Sequence, residues 1–316
     1  MRYHHQPHQA GQRCADVVRD LAIPVPFDLR EFRACLERHT HRTIELVPAI
    51  LAPGAPSGIF FRTTGADYLY YEQQTTPYHQ AHIVLFLAAH MLRGEVDDAS
   101  FDRRLVPDVS PELLRLMLGD ISDSTVTRAD AEEFAFLALD RARLAACPSF
   151  LARRALRQLR PLHSALREAA AGDNGAVASG VRPAVRFRLH QQIIEIRDAA
   201  LALRPYRDPE VASAATVVAK TARLVGDELM AVVEAAVLAA AVRTKNAGNP
   251  ERRPAADTGW PPTLGADLRS EAGWLMKVSR AFAGLQRADR PARVALSGRK
   301  RNGVVRRMGT EGTRLR

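Results

Sequence analysis

Apolar positions recur at helical spacing through most of the chain and alternate as they do in strands only between residues 43 and 71. A helical pattern begins near Arg13 and stops at Pro24 and Pro26, and Asp28 with Glu31 forms a capping box that opens a second helix to about residue 38. Strand signals follow at 43–47, 58–63 and 68–71, the last two flanking a hairpin loop at Thr64-Gly-Ala-Asp67. Residues 77–93 then read as a helix entered through Pro77, with an apolar body from Ile83 to Leu92. Ser110-Pro-Glu112 opens another helix, ended by Gly119, and a Thr127–Asp130 capping box opens one carrying Phe134, Leu137, Ala138 and Leu144.

Beyond Pro148 the strand pattern stops. Helices are predicted at 153–171, with Pro161 as a kink or break, and at 186–203, 209–224, 227–245 and 267–282, the fourth capped by Asp227. A Gly- and Pro-rich stretch at 246–263 reads as a linker. The predicted fold class is mainly α: an α+β N-terminal domain (13–147) with a small antiparallel sheet, then an all-α domain (148–285). Residues 1–12 are expected to be a flexible leader.

Composition changes this picture little, but charge adds to it. Of the net charge of +10, +8 falls within residues 286–316, where ten Lys and Arg face only Asp289 and Glu311. The basicity therefore belongs to a tail, expected to be disordered and able to touch nucleic acid or acidic headgroups weakly and without specificity. No apolar run approaches the length of a membrane span, and no apolar region follows the polar start of the chain, so a cytoplasmic location is expected. Three widely spaced cysteines, Cys14, Cys35 and Cys147, read as small buried hydrophobes in a reducing compartment.

The chemistry turns on the 77–93 helix, which occupies the place of a zincin His-Glu-x-x-His helix. That pentad works because residues i and i+4 share a face, so both imidazoles reach one zinc while the glutamate activates its water. Here it reads Phe86-Leu-Ala-Ala-His90: Phe86 stands at the first ligand position, Leu87 at the base position, and only His90 remains. His82 and His90 lie about 12 Å apart along a helix axis and cannot share an ion. His79 with His82 and an acid from elsewhere is the rebuilt site that spacing leaves open. Asp130 reads first as a capping residue and second as the remnant of an acidic ligand. Tyr70, Tyr71 and Tyr78 read as packing residues. The candidate metal positions are thus His79, His82, His90 and Asp130, with no cofactor expected, zinc included.

Val25-Pro-Phe-Asp-Leu-Arg-Glu31, Ala66-Asp-Tyr-Leu-Tyr-Tyr-Glu72, Thr76-Pro-Tyr-His-Gln-Ala-His-Ile83, His90-Met-Leu92 and Asp130-Ala-Glu-Glu-Phe-Ala135 resemble the ImmA/IrrE-type zinc metallopeptidase-like domain. More narrowly they resemble its bacterial "toxin component" subgroup, found beside helix-turn-helix regulators. The resemblance implies a small sheet backed by the metal-site helix, with Asp130 nearest to the third zinc ligand. Phe86 and Leu87 depart from the family and argue against its activity, leaving His90 and Asp130 as vestigial positions.

The second half, through Arg186-Phe-Arg-Leu189, Ile194-Glu-Ile-Arg-Asp198, Ala202-Leu-Arg-Pro-Tyr206, Val233-Glu-Ala-Ala236 and the stretch from Trp274 to Phe282, resembles a cytosolic helical domain of bacterial multi-pass putative transporters. That resemblance names no chemistry.

The reading that follows is a non-catalytic, peptidase-like regulatory protein of a toxin–antitoxin-like or repressor-linked system. Its expected partner is a protein, either a transcriptional regulator or a membrane protein of the same pathway. The sequence leaves the enzyme question open and tilts it towards no. The alternatives are a metal-dependent hydrolase with an atypical site, and a nucleic-acid or membrane-surface binder acting through residues 286–316.

Overall fold

The computed structural model describes residues 7–51, 55–92, 128–170, 184–248 and 264–305. The first half runs α1 (Pro7–Asp20), α2 (Leu29–Thr40), β1 (Thr43–Ala49), β2 (Gly58–Arg62), β3 (Ala66–Glu72), α3 (Pro77–Leu92) and α4 (Arg128–Arg141). Helix α1 starts at Pro7, inside the expected leader, where a proline at the first helical position loses no hydrogen bond. Asp28 caps α2 by accepting from the amides of Arg30 and Glu31, and His41 ends it in the left-handed conformation. The helix expected at 110–119 and Thr127 of the capping box lie outside the described residues.

The sheet has the order β1-β3-β2, and it is mixed rather than antiparallel. The hairpin is antiparallel, as a short loop requires, but β1 runs parallel to β3. The chain passes up β1, down β2 and up β3, and the last strand inserts between the first two. Its central place explains the burial of Asp67, which takes ion pairs from Arg42 at 2.9 Å and Arg62 at 3.0 Å. Arg62 also donates to the carbonyl of Met91, tying the sheet to the last turn of α3.

Helix α3 packs against the sheet and against α4, so that residues on all sides of it are buried. Its sequence is apolar around the full circumference, as a core helix requires. Gly58 on β2 is where the helix comes closest: a Cβ there would lie 2.4 Å from Ile83 Cγ2 and 3.0 Å from Leu87 Cδ1.

The second half is helical throughout its described residues: α5 (Ser149–Ala170), α6 (Val185–Ala202), a 3-10 turn (Arg204–Tyr206), α7 (Pro209–Thr221), α8 (Gly226–Asn246) and α9 (Leu268–Val305). Pro161 neither kinks α5 into two elements nor breaks it. The proline is exposed, and the stripe Ala152, Ala155, Leu159, Leu162, Leu166 and Ala169 holds both sides of it in the core. Asp208 caps α7 and Asp267 caps α9, but Asp227 lies inside the first turn of α8, where Val225 is the cap residue. Helix α9 continues to Val305, so residues 286–305 of the expected disordered tail are helical.

One continuous apolar cluster runs through both halves, from Cys14 and Phe32 to Trp274 and Phe282. Polar ties cross the same boundary. Leu268 N donates to Leu144 O at 2.7 Å, and Arg204 meets Glu72 at 3.2 Å with both side chains buried. Cys14, Cys35 and Cys147 are buried thiols that form no disulfide with one another. Among the described residues no helix is long and apolar enough to cross a membrane.

Candidate functional site

Helix α3 begins on a pair of threonines. Thr76 O accepts from Gln80 N at 2.9 Å, and the Thr75 hydroxyl lies 2.8 Å from His79 Nδ1. The Gln80 amide donates to the carbonyls of Gln73 and Thr75, fixing the loop that enters the helix. These contacts set the helical phase and hence the face on which each histidine falls. Tyr78, His82, Phe86 and His90 follow at intervals of four, while His79 stands three before His82.

The pentad positions do not converge on a metal-binding geometry. Leu87 is buried against β2, and Phe86 is half-buried with its ring between two histidine rings, 6.0 Å from His82 and 5.0 Å from His90. The phenyl ring therefore separates the two imidazoles that the spacing already kept apart. His90 is half-buried in the last turn of the helix. Asp130 sits in the first turn of α4, where its backbone carbonyl accepts from Cys14 Sγ at 3.6 Å.

One turn earlier, a different set of residues comes together. His82 on α3, Glu132 on α4 and His190 on α6 each offer a ligand atom within 4.8 Å of the other two. His82 Nε2 lies 3.7 Å from Glu132 Oε2, and the His82 and His190 rings are 5.0 Å apart. All three residues are buried, and His82 Nδ1, Glu132 Oε2 and His190 Nε2 make no hydrogen bond. His190 Nδ1 is held by the Tyr78 hydroxyl at 2.8 Å. Tyr78, expected as a packing residue, is thus also the polar anchor of a histidine from the other half. Phe136 and Phe187 close the wall behind His190, at 5.4 and 6.3 Å between ring centres.

His79 belongs to an adjoining pair. Its Nε2 stands 3.2 Å from Asp198 Oδ1, an ion-pair distance without hydrogen-bond alignment, and its ring stacks 6.1 Å from that of His82. About a third of the Asp198 side chain reaches the surface while its Oδ1 is sealed.

Burial governs the protonation states. It pushes His82 well below its ordinary range, with the nearby His190, His79 and Arg128 adding to the effect. Burial also lowers His190 to about 3, helped by His79. Glu132 is raised to about 7 by burial, against the pull of Arg128, which stands 3.8 Å from Oε1 on the exposed side. For Asp198, burial acts upward, but the adjacent His79 and the charge of Arg128 outweigh it and hold the carboxyl low. The two cluster imidazoles are therefore neutral at pH 7, with a lone pair each.

Of the metal candidates in the sequence, only His82 enters this cluster. His79 lies beside it, while His90 and Asp130 lie apart. Glu132 and His190 were missed. Asp130 and Glu132 are two residues apart on a helix, about 200° in phase, so choosing one acid excludes the other. A histidine between Phe187 and Ile193 on an otherwise apolar face was the available signal for His190.

A cleft of about 1000 Å³ lies elsewhere in the helical half, lined by residues that include Glu168, Arg243, Phe282 and Arg287. It does not touch the histidines. Residues 149–286 match a family of unknown function, DUF6545, which spans α5 to the packed part of α9 and supplies His190 and Asp198 but neither His82 nor Glu132. No curated protein and no solved structure matches the chain.

Proposed function

We propose that this chain is a non-catalytic regulatory or interaction protein, built from a peptidase-like half and a helical half. It belongs to a repressor-linked or toxin–antitoxin-like system. The observation that supports this reading most is the use of the pentad as core: Leu87 packs on Gly58, and Phe86 fills the space between His82 and His90. Neither side chain binds a metal or accepts a proton, so the first ligand and the base of a zincin have no substitute at their own positions.

The partner is a protein, either a transcriptional regulator or a membrane protein of the same pathway, met in the cytoplasm. Three exposed valines, Val217 and Val218 near the end of α7 and Val225 just before α8, supply apolar surface for such a contact. The basic segment 286–316 adds a weak, salt-sensitive attraction to nucleic acid or acidic lipid.

His82, Glu132 and His190 favour a second reading, a metal-dependent hydrolase with an atypical site. Their burial sets it behind the first, because a scissile bond would have to enter a closed core. One assay separates the two. The full chain, incubated with one equivalent of zinc and with a candidate helix-turn-helix repressor, is expected to bind the repressor and leave it intact on denaturing gels. Cleavage that disappears in His90→Ala would restore the family's peptidase, and cleavage that disappears in His190→Gln would install the second reading.

A further inference from the structure

We propose that His82, Glu132 and His190 bind one divalent transition-metal ion of the zinc class, and that the ion joins α3 and α4 of the first half to α6 of the second. Three observations carry this. The first is convergence: three ligand-type side chains from three helices, distant in sequence, place donor atoms within 4.8 Å of one another. A tetrahedral ion with bonds of about 2.0–2.1 Å holds its ligand atoms about 3.3 Å apart. The 3.7 Å between His82 Nε2 and Glu132 Oε2 is near that spacing, and the remainder is closed by small side-chain rotations.

The second is dissatisfaction. His82 Nδ1, Glu132 Oε2 and His190 Nε2 are sealed from solvent with no hydrogen-bond partner, and their residues are only 4%, 8% and 0% exposed. Buried polar atoms without partners are uncommon in native proteins because each carries a desolvation cost of about 1–3 kcal/mol. Two of them, Glu132 Oε2 and His190 Nε2, are explained by an ion that also takes His82 Nε2, the nitrogen 3.7 Å from Glu132 Oε2.

The third is orientation. The Tyr78 hydroxyl lies 2.8 Å from His190 Nδ1, and in the tautomer that carries its proton on Nδ1 the hydroxyl accepts that proton and the Nε2 lone pair is left for the cluster. Metal-binding histidines are commonly held in this way through their second nitrogen.

The donor set selects the class of ion. Two imidazole nitrogens and one carboxylate oxygen suit zinc and its first-row neighbours, whereas magnesium and calcium prefer oxygen alone and copper(I) prefers sulfur. Three protein ligands leave a fourth coordination position. Because His190 comes from the helical half, binding requires both halves to be docked, and this inference does not rest on the regulatory reading above.

The test uses the full chain with His4, His5 and His8 of the leader replaced by alanine, so that adventitious binding there does not count. After chelator stripping and equilibration with zinc, the protein is expected to retain about one zinc per chain and to gain several degrees in Tm. His190→Gln and Glu132→Gln, near-isosteric changes, are each expected to drop retention at least tenfold, while His90→Ala keeps it. X-ray absorption of the unsubstituted zinc-loaded site needs no variant at the cluster, and is expected to show two imidazoles with oxygen and no sulfur. Failure to retain zinc, sulfur ligation from a cysteine, or retention unchanged in both glutamine variants would overturn the proposal and leave a metal-free polar core. Zinc-dependent cleavage of the repressor would overturn the regulatory reading and leave this site standing.

Discussion

Leu87 shows at the residue scale how one side chain is committed to the core. It is 6% exposed, and its Cδ1 comes within 3.0 Å of where a Cβ on Gly58 would lie. Leu87→Glu, which restores the base of a zincin pentad, therefore buries a carboxylate in an apolar contact. It is expected to destabilise the fold by about 3 kcal/mol or more, read by denaturant titration, and to produce no peptidase activity. Phe86 and Leu87 are legible in the sequence as side chains that neither bind zinc nor accept a proton, four and three positions before His90. Glu132 is not legible in the same way. Its neighbours Asp130 and Glu133 are equally acidic, and only the docked position of α4 decides which carboxylate turns towards His82.

At the scale of elements, the contact between α3 and the sheet depends on Gly58. Gly58→Ala puts a methyl 2.4 Å from Ile83 Cγ2, and either the helix or the isoleucine has to move. The expected cost is about 1–3 kcal/mol. Adding Ile83→Ala is expected to recover part of that cost, so the double variant is less destabilised than the sum of the single changes, as a double-mutant cycle in denaturant would show. Caps are the elements' most readable features: Asp28, Asp208 and Asp267 each precede a helix and accept from its first amides, a pattern set by local spacing alone. Pro161 was less readable. Whether a proline breaks a helix depends on how firmly the flanking turns are packed, and here Leu159 and Leu162 are fully buried on either side of it. The direction of β1 was unreadable for a related reason, since a strand's alternation is the same whichever way its neighbour runs.

At the scale of the molecule, the two halves share one core and several buried polar links. Arg204 and Glu72 form such a link, at 3.2 Å, with side chains 6% and 3% exposed. The Glu72 carboxylate also accepts from the amides of Leu51 and Gln74, so it stays in place if the arginine is removed, but its charge loses its counterion. Arg204→Met is expected to lower stability by about 3 kcal/mol. The loss should appear at the same denaturant midpoint whether unfolding is followed at Trp274 in the helical half or by hydrogen exchange in β3 of the other. Two separate midpoints would mean that the halves unfold independently. A chain with local contacts alone would give that result; the links through Tyr78, Arg204 and Leu268 predict the single transition.

The pattern of apolar positions by itself determined the mainly α class, the three strands and most of the helix starts among the described residues. Those features depend on neighbours within one or two turns of chain, and the sequence states such neighbours directly. The tertiary structure alone decided that β1 runs parallel to β3 and that α5 passes through Pro161 intact. It alone also decided that His82 faces Glu132 and His190 rather than His79 and His90. His82 and His190 are 108 positions apart, and their meeting depends on the docking angle of two helices in a shared core. That angle comes from the sum of many apolar contacts, none of which names a partner.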